Sequence, residues 1–482
     1  MNQKQEEFVR WAHQWVREHE QEMLEELRGL VRIPSVARAD LAVPGAPYGP
    51  HCRQAHDYML ARGRHYGFQT VDHDGYVGEI IMGDPDDALG YAVHVDVVPV
   101  NGDWRYPPFD LTFLPEKRAV VGRGVTDDKG PTIMCLFVMR MLREYGWPLK
   151  HGIRLMFGSS EEPDMSDFIK MREMGIPFPK VSLTPDSGFP VNNAQKGLVR
   201  ADLEIDCGGN LVEFESGSVR NIIPQYARCV LRTTPEAAHK ALSALDDELI
   251  SALEIEACEQ GVQIAAHGIS VHAAFPEGGV NAISLLCRAL LDARLLEGSC
   301  VKAIEKLKDL TSDVFGYNIG VGFEDEITGK LTLVYTVAHL KDGVLMVGCD
   351  SRIPVRCSVN DMAGKMKAEW TRRGFRIADE LIGESVYISP EDERVMTLQK
   401  VYHALTGTQT PPFSSGGGNY ARVIPNTIAF GIEMPGSARN LGLFPEGQGA
   451  AHAENEAQTL EELFDATVIY AAATLALDEM VD

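Results

Sequence analysis

Apolar strand-like runs alternate with helical stretches, break off near Lys196 and resume near Thr427. This constrains the chain more than any other feature. Tyr91-Ala92-Val93 leads into His94-Val95-Asp96-Val97-Val98, a β-branched run that reads as a buried strand. Pro131 opens a helix carrying Ile133, Leu136, Phe137, Met139 and Leu142, at a position where its missing N–H costs little. Ile153 to Phe157 and Val181 to Leu183 read as further strands, and strands alternating with helices predict a mainly parallel sheet. Before them, Phe8, Trp11, Trp15, Met23, Leu24, Leu27, Leu30 and Val31 fall at three- and four-residue steps. They predict an amphipathic helix ended by Ile33-Pro34-Ser35.

From Lys196 the pattern changes. Val199 to Ile205 alternates apolar and polar residues, as a half-exposed antiparallel strand does, and helices are expected over 235–259 and 282–295. A second strand–helix cycle runs over 330–374. The α/β rhythm returns at Thr427 to Gly431, and an Ala/Leu-rich helix over 460–477 follows. The expected fold class is α/β: a domain with a central, mainly parallel sheet flanked by helices, interrupted by an inserted α+β domain of two related lobes. The expected boundaries are 1–194 and 388–482 for the sheet domain and 195–387 for the two-lobed insertion. A chain of 482 residues is too long for one ordinary domain, which agrees with this division.

A formal net charge of −24 argues against coating a nucleic acid or an anionic membrane, since either polyanion would repel the chain. The nine cysteines are scattered, form no C-x-x-C pair and sit partly inside apolar runs, so they read as small core residues of a reducing compartment. Residues 1–20 lack the apolar stretch of a signal peptide, and no run reaches the ~18–20 apolar residues of a membrane helix. A cytoplasmic protein is expected.

Acidic and histidine residues cluster at the predicted strand ends or in the loops just after them: His94-x-Asp96, Asp127-Asp128, Glu161-Glu162, Asp186 and, late in the chain, His452. In an open α/β sheet the carboxyl ends of the strands border the functional crevice. Carboxylates gathered there are costly unless cations neutralise them. Imidazole and carboxylate without thiolate suit Zn²⁺, with Mn²⁺ and Co²⁺ as competitors. Five ligands with one shared match a two-metal site. Asp96, two residues beyond His94 on the same strand face, is placed to orient the imidazole.

Gly90 to Pro99, Gly122 to Pro131, Ser159-Ser160-Glu161-Glu162, Thr184-Pro185-Asp186, Gly268 to Ala282 and Ala451-His452 follow one another in order. Together they resemble the motifs of the co-catalytic dizinc peptidase family that contains aminoacylase, acetylornithine deacetylase, succinyl-diaminopimelate desuccinylase and carboxypeptidase G. Pro185-Asp186 with Phe189-Pro190-Val191, Lys196-Gly197, Asp350 to Val355 and Gly416 to Arg422 look like the peptidase V dipeptidases within it. Gly188, Gln195 and Asn419 depart from that pattern, and none is a metal position.

The resemblance implies two Zn²⁺ per subunit, with Mn²⁺ or Co²⁺ possible replacements. Asp127 would bridge them, His94 and Asp186 would hold one ion, and Glu162 and His452 the other. It also implies a cis peptide between Asp127 and Asp128, Glu161 as general base, and His272 with Asn221 stabilising the oxyanion. Arg352 would take the substrate carboxylate, and the backbone N–H groups of Gly416, Gly417 and Gly418 would approach an anion. The span of 266 positions from Asp186 to His452 leaves room for a lid of ~190 residues on the usual domain scale. Such a lid would carry its own His272, so a monomer is expected. The implied activity is hydrolysis of short peptides. The alternatives are an N-acyl-amino-acid deacylase or desuccinylase and, from another class, a silent metal- or peptide-binding module.

Overall fold

A computed structural model describes residues 3–437 and 439–481. The chain divides into two compact units. Unit 1 comprises Met1–Asn193, Ile388–Phe413 and Asn419–Asp482; unit 2 comprises Ala194–Tyr387 and Ser414–Gly418.

In unit 1 the strands of the large sheet run in the order Gln69–His73, Val77–Met82, Gly152–Gly158, Ala88–His94, Val181–Thr184, Thr427–Ala429 and Asn192–Gln195. The four from Gly152–Gly158 to Thr427–Ala429 are parallel, and the flanking pairs are antiparallel. The central strands are buried on both faces, and successive side chains serve different cores. Leu89, Tyr91 and Val93, with Ile153, Leu155 and Phe157, join the larger core under the long helices. Ala92 and Met156 pack with Val77, Phe168 and Tyr420 on the other face.

Two helices against the larger core are apolar nearly all round, as buried helices are. Leu460–Met480 buries fifteen of its 21 residues. Thr459 caps it: its Oγ1 accepts from the Glu462 N–H and donates to the Glu462 carboxylate. Lys129–Tyr145 ends at Gly146 in the left-handed conformation, φ 74°. The expected N-terminal helix is two helices, Gln3–Glu18 and Glu20–Val31, divided at His19, whose Nδ1 lies 2.8 Å from the Trp15 carbonyl.

Unit 2 is built on an eight-stranded antiparallel sheet over a large apolar core, with a smaller cluster of Ile223, Ala273 and Val334 beside it. Leu253–Cys258, Gly261–His267, Tyr226–Leu231 and Leu211–Ser216 form one half. Thr332–Lys341, Val344–Ile353, Gly197–Asp206 and Arg376–Gly383 form the other. The halves join through a short pairing of Glu215 with His339 and Ser216 with Ala338. The helix expected over 235–259 does not form. Pro235–Leu242 is helical, Asp246 caps a second short helix over Asp247–Ser251, and Leu253–Cys258 is an edge strand. The alternation of Leu253 and Ile255 with glutamates has the period of a strand, and it prevails over the helix-forming composition. Among the described residues no helix is long and apolar enough to cross a membrane.

Candidate active site

Six side chains of unit 1 converge in two trios: His94, Glu161 and Asp186; and Asp127, Glu162 and His452. Within each trio the donor atoms lie within 4.8 Å of one another. His94 ends the strand Ala88–His94. Glu161 and Glu162 follow the strand Gly152–Gly158, and Asp186 follows Val181–Thr184. These positions lie at or just beyond the carboxyl ends of parallel strands. Asp127 and His452 arrive differently. Asp127 lies in the loop between the strand Ala119–Val121 and Asp128, the N-cap of the helix Lys129–Tyr145, and His452 sits in the long loop before the strand Ala457–Thr459, at φ 65°. Asp127 thus keeps the expected place in a loop after a strand, whereas His452 lies far along a loop that starts at Ile432–Glu433. The peptide Asp127–Asp128 is cis.

Asp127 occupies the centre. Its Oδ1 is 2.9 Å from His94 Nε2 and its Oδ2 is 2.9 Å from His452 Nε2, while His452 Nε2 is 3.0 Å from Glu162 Oε2. His94 is fully buried and His452 is 47% exposed, so the cluster meets solvent on the His452 side. Glu161 Oε1 and Glu162 Oε1 are buried without hydrogen-bond partners, while His94 Nε2 and Asp127 Oδ1 meet at 2.9 Å without the alignment of a hydrogen bond. Buried polar atoms are ordinarily paired, so an unsatisfied carboxylate oxygen in each trio fits cations better than protons.

The electrostatics agree. Burial pushes Glu161 well above the carboxylate range, and the Asp186 charge adds to it. Burial likewise raises Asp186 to about 7, with Asp127 contributing. Burial works against a charged His452, yet the Glu162 and Asp127 carboxylates raise it to about 12. For Asp127 burial acts upward, but the two imidazoles prevail and hold it well below the ordinary value. Four carboxylates with too little positive charge among them are what divalent ions would neutralise.

The turn carrying Glu161 and Glu162 is held by two buried carboxylates. Asp96 Oδ1 accepts from the Glu161 N–H and Asp96 Oδ2 from the Glu162 N–H, each at 3.2 Å. Asp167 Oδ2 accepts from the N–H groups of Ser159 and Ser160 at 2.8 Å and from Tyr420 Oη at 2.7 Å. A Cβ on Gly158 would overlap Asp167 Oδ2 and Tyr420 Oη, so this close approach requires glycine. Asp96 also meets His94, whose Nδ1 lies 3.0 Å from the Asp96 carbonyl and 3.4 Å from its carboxylate. Asn419 Nδ2 donates to the Asp186 carbonyl at 2.6 Å.

The remaining predicted residues lie in unit 2. The His272 and Ile222 backbones form an isolated antiparallel bridge, and the Asn221 carbonyl accepts from the Ala273 N–H at 2.8 Å. His272 Nδ1 accepts from the Ala274 N–H at 3.1 Å, which leaves the ring proton on Nε2. Arg352 donates from Nε and Nη2 to Asp350, at 2.6 and 3.1 Å, and from Nη1 to the Gly416 carbonyl at 3.1 Å. A guanidinium has five N–H donors, so two are not spent in these bonds. A Cβ on Gly416 would stand 2.7 Å from Ala274 Cβ, whereas one on Gly417 would meet nothing.

Sequence reasoning assigned no role to Asp167, Tyr420, Arg123 and Glu456. Arg123 and Tyr420 lie inside the motifs given above, and Glu456 stands four residues beyond His452, a spacing that carries no signal without the fold.

The profile of peptidase family M20/M25/M40 matches residues 90–476. The chain belongs to this family. It is a hydrolase of the metallopeptidase class. A Staphylococcus epidermidis protein, named as a candidate dipeptidase, is 30% identical over 476 residues, covering 96% of this chain and 98% of its own. Two solved structures share the M20 fold. Human carnosine dipeptidase 1 has a TM-score of 0.59 at 12% identity, covering 98% of this chain and 100% of its own. The M20 family metallo-carboxypeptidase Sso-CP2 from Sulfolobus solfataricus has a TM-score of 0.56 at 16% identity, covering 95% and 100%.

Proposed function

We propose that this M20 peptidase is a dipeptidase acting through two divalent metal ions, Zn²⁺ by donor type, with Mn²⁺ or Co²⁺ as substitutes. One observation carries the reading: the two carboxylate oxygens of Asp127 each face a different imidazole at 2.9 Å, as a bridging ligand between two ions requires. His94 and Asp186 would complete one set of donors, Glu162 and His452 the other. Bound ions would supply Lewis acidity, bringing water towards ionisation at neutral pH and drawing charge from the scissile carbonyl.

The chain's own groups do the rest. Glu161, held by the Asp96 and Asp167 network and with Oε1 unpaired, accepts a proton from water and returns it to the departing amine. For unit 2 the reading assigns His272, through its Nε2 proton, and Asn221 to the developing oxyanion. Arg352 and the Gly416–Gly418 backbone are assigned to the carboxylate of a dipeptide. Unit 1 is then the catalytic domain, the inserted residues are its lid, and the enzyme works as a monomer. A cytoplasmic site is proposed from the nine free cysteines. The dipeptidase name of the relative supports the substrate class.

The test is hydrolysis of Ala- and β-Ala-dipeptides beside their N-acetyl forms, with metal content measured on the same preparation. Cleavage of the free dipeptides by protein holding two ions is expected. Faster cleavage of the N-acetyl forms replaces the reading with a deacylase.

A further inference from the structure

Glu456 is fully buried, and its partner Arg123 is 1% exposed. Their ion pair is 2.7 Å long, from Arg123 Nη1 to Glu456 Oε2. Removing two charges from water costs several kcal/mol, and a buried pair of this kind is often replaceable by apolar residues without loss of stability. Its presence here therefore calls for a reason other than stability, and the rest of its bonding supplies one.

The Glu456 carboxylate accepts from three backbone N–H groups of a single turn: Gly124 at 3.1 Å to both oxygens, Thr126 at 2.9 Å and Asp127 at 3.1 Å, the last two to Oε1. The turn is thus gathered around one carboxylate, and its final residue carries the bridging side chain. Arg123 extends the arrangement in the other direction. Its Nη2 donates to the His452 carbonyl at 3.2 Å, and its guanidinium lies over the Trp104 ring at 5.1 Å. Backbone bonds reinforce the join: the Gly122 N–H donates to the Glu456 carbonyl at 3.0 Å, and Thr126 Oγ1 to the Ala457 carbonyl at 3.2 Å. His452 stands at positive φ, a conformation uncommon outside glycine that histidine, with asparagine and aspartate, adopts more readily than other residues.

We propose that Glu456, acting with Arg123, is the positioning pair that registers Asp127 against His452, two donors brought together from segments more than 300 residues apart. This rests on the dinuclear reading. Neither residue touches substrate or metal. Their work is to fix, through backbone, the separation at which one carboxylate serves two imidazoles. A glutamine at 456 keeps one acceptor oxygen but turns an NH₂ towards N–H donors and leaves the Arg123 charge unpaired.

The test compares wild type with Glu456→Gln, Arg123→Lys and, as a control, Glu79→Gln. Glu79 is an equally buried carboxylate, bound by Arg154 Nη2 at 2.6 Å and Nε at 3.0 Å, remote from the donor set. Three readouts are taken: Zn²⁺ retention against a competing chelator, kcat and KM for a dipeptide, and the melting temperature of the metal-free protein. Glu456→Gln is expected to weaken retention of the more loosely held ion about 10- to 100-fold and to lower kcat with KM little changed. Arg123→Lys keeps the charge but not the fork that reaches the His452 carbonyl, and it is expected to do the same more mildly. Glu79→Gln is expected to lower the melting temperature while leaving Zn²⁺ retention intact. If Glu456→Gln does not fold, Arg123→Lys decides by the same readouts. Retention and kcat in the site variants matching those of Glu79→Gln overturn the positioning role. Wild-type protein that holds no metal refutes the dinuclear reading itself.

Discussion

Asp167 offers a direct test of the electrostatic account of unit 1. It is fully buried beside Asp96, and burial first, then the Asp96 charge, raises it from the ordinary 3.8 to about 7. The native state therefore holds the proton more tightly than the unfolded chain does. For such a group stability is fully present below the unfolded value and is lost as pH rises through the folded one. Each pH unit across that window is worth ~1.4 kcal/mol, so the whole swing is roughly 4 kcal/mol, of which roughly 2 kcal/mol falls between pH 5 and pH 7. Asp167→Asn removes the titration. The variant also weakens bonds from Ser159, Ser160 and Tyr420, but that offset is nearly the same at both pH values and cancels in the difference. Urea unfolding of metal-free protein, variant against wild type, should show the variant gaining roughly 2 kcal/mol relative to wild type from pH 5 to pH 7. A difference unchanged between the two pH values would refute the reasoning.

Glu161→Gln should keep both ions yet lose about 10²- to 10⁴-fold in kcat, checked by metal analysis and steady-state kinetics on the same sample. Asp186 lies at about 7 in the metal-free protein, so an ion must displace its proton. Metal affinity should fall as pH drops below 7, with proton release visible as a buffer-dependent heat in calorimetry. Gly416→Ala places a Cβ 2.7 Å from Ala274 Cβ, moving the carbonyl that holds Arg352, and should raise KM for dipeptides more than it lowers kcat. Gly78→Ala puts a methyl against the Phe157 ring on the larger-core face of the sheet and should cost about 1–3 kcal/mol of stability without altering metal content.

The α/β class and the donor set were legible because both rest on local signals. β-branched runs mark buried strands, and a carboxylate or imidazole at a strand end faces the crevice whatever the rest of the chain does. His94, Glu161, Glu162 and Asp186 are of this kind. Asp127 and His452 sit on loops, where the strand pattern gives less, and the ordered motifs add to it. The two-residue period places Asp96 beside His94, but its bonds to amides that arrive 65 and 66 residues later are a tertiary fact no period contains. The helix expected over 235–259 failed because Leu, Glu and Ala favour a helix locally, while the sheet edge offered Leu253 and Ile255 a face to bury. The Arg123–Glu456 pair was invisible for the same reason as the Asp96 bonds.

The five residues Ser414–Gly418 belong to unit 2 although the 26 residues of unit 1 from Ile388 to Phe413 separate them from the rest of it. Unit 2 is therefore not one removable block. A fragment cut at 194 and 387 would keep Arg352 and its Asp350 clamp but lose the Gly416 carbonyl that holds the third guanidinium N–H. Any exchange of this module between relatives has to carry two separate stretches of sequence. A single crossover that moves only the longer one produces a folded sheet with a mis-set arginine.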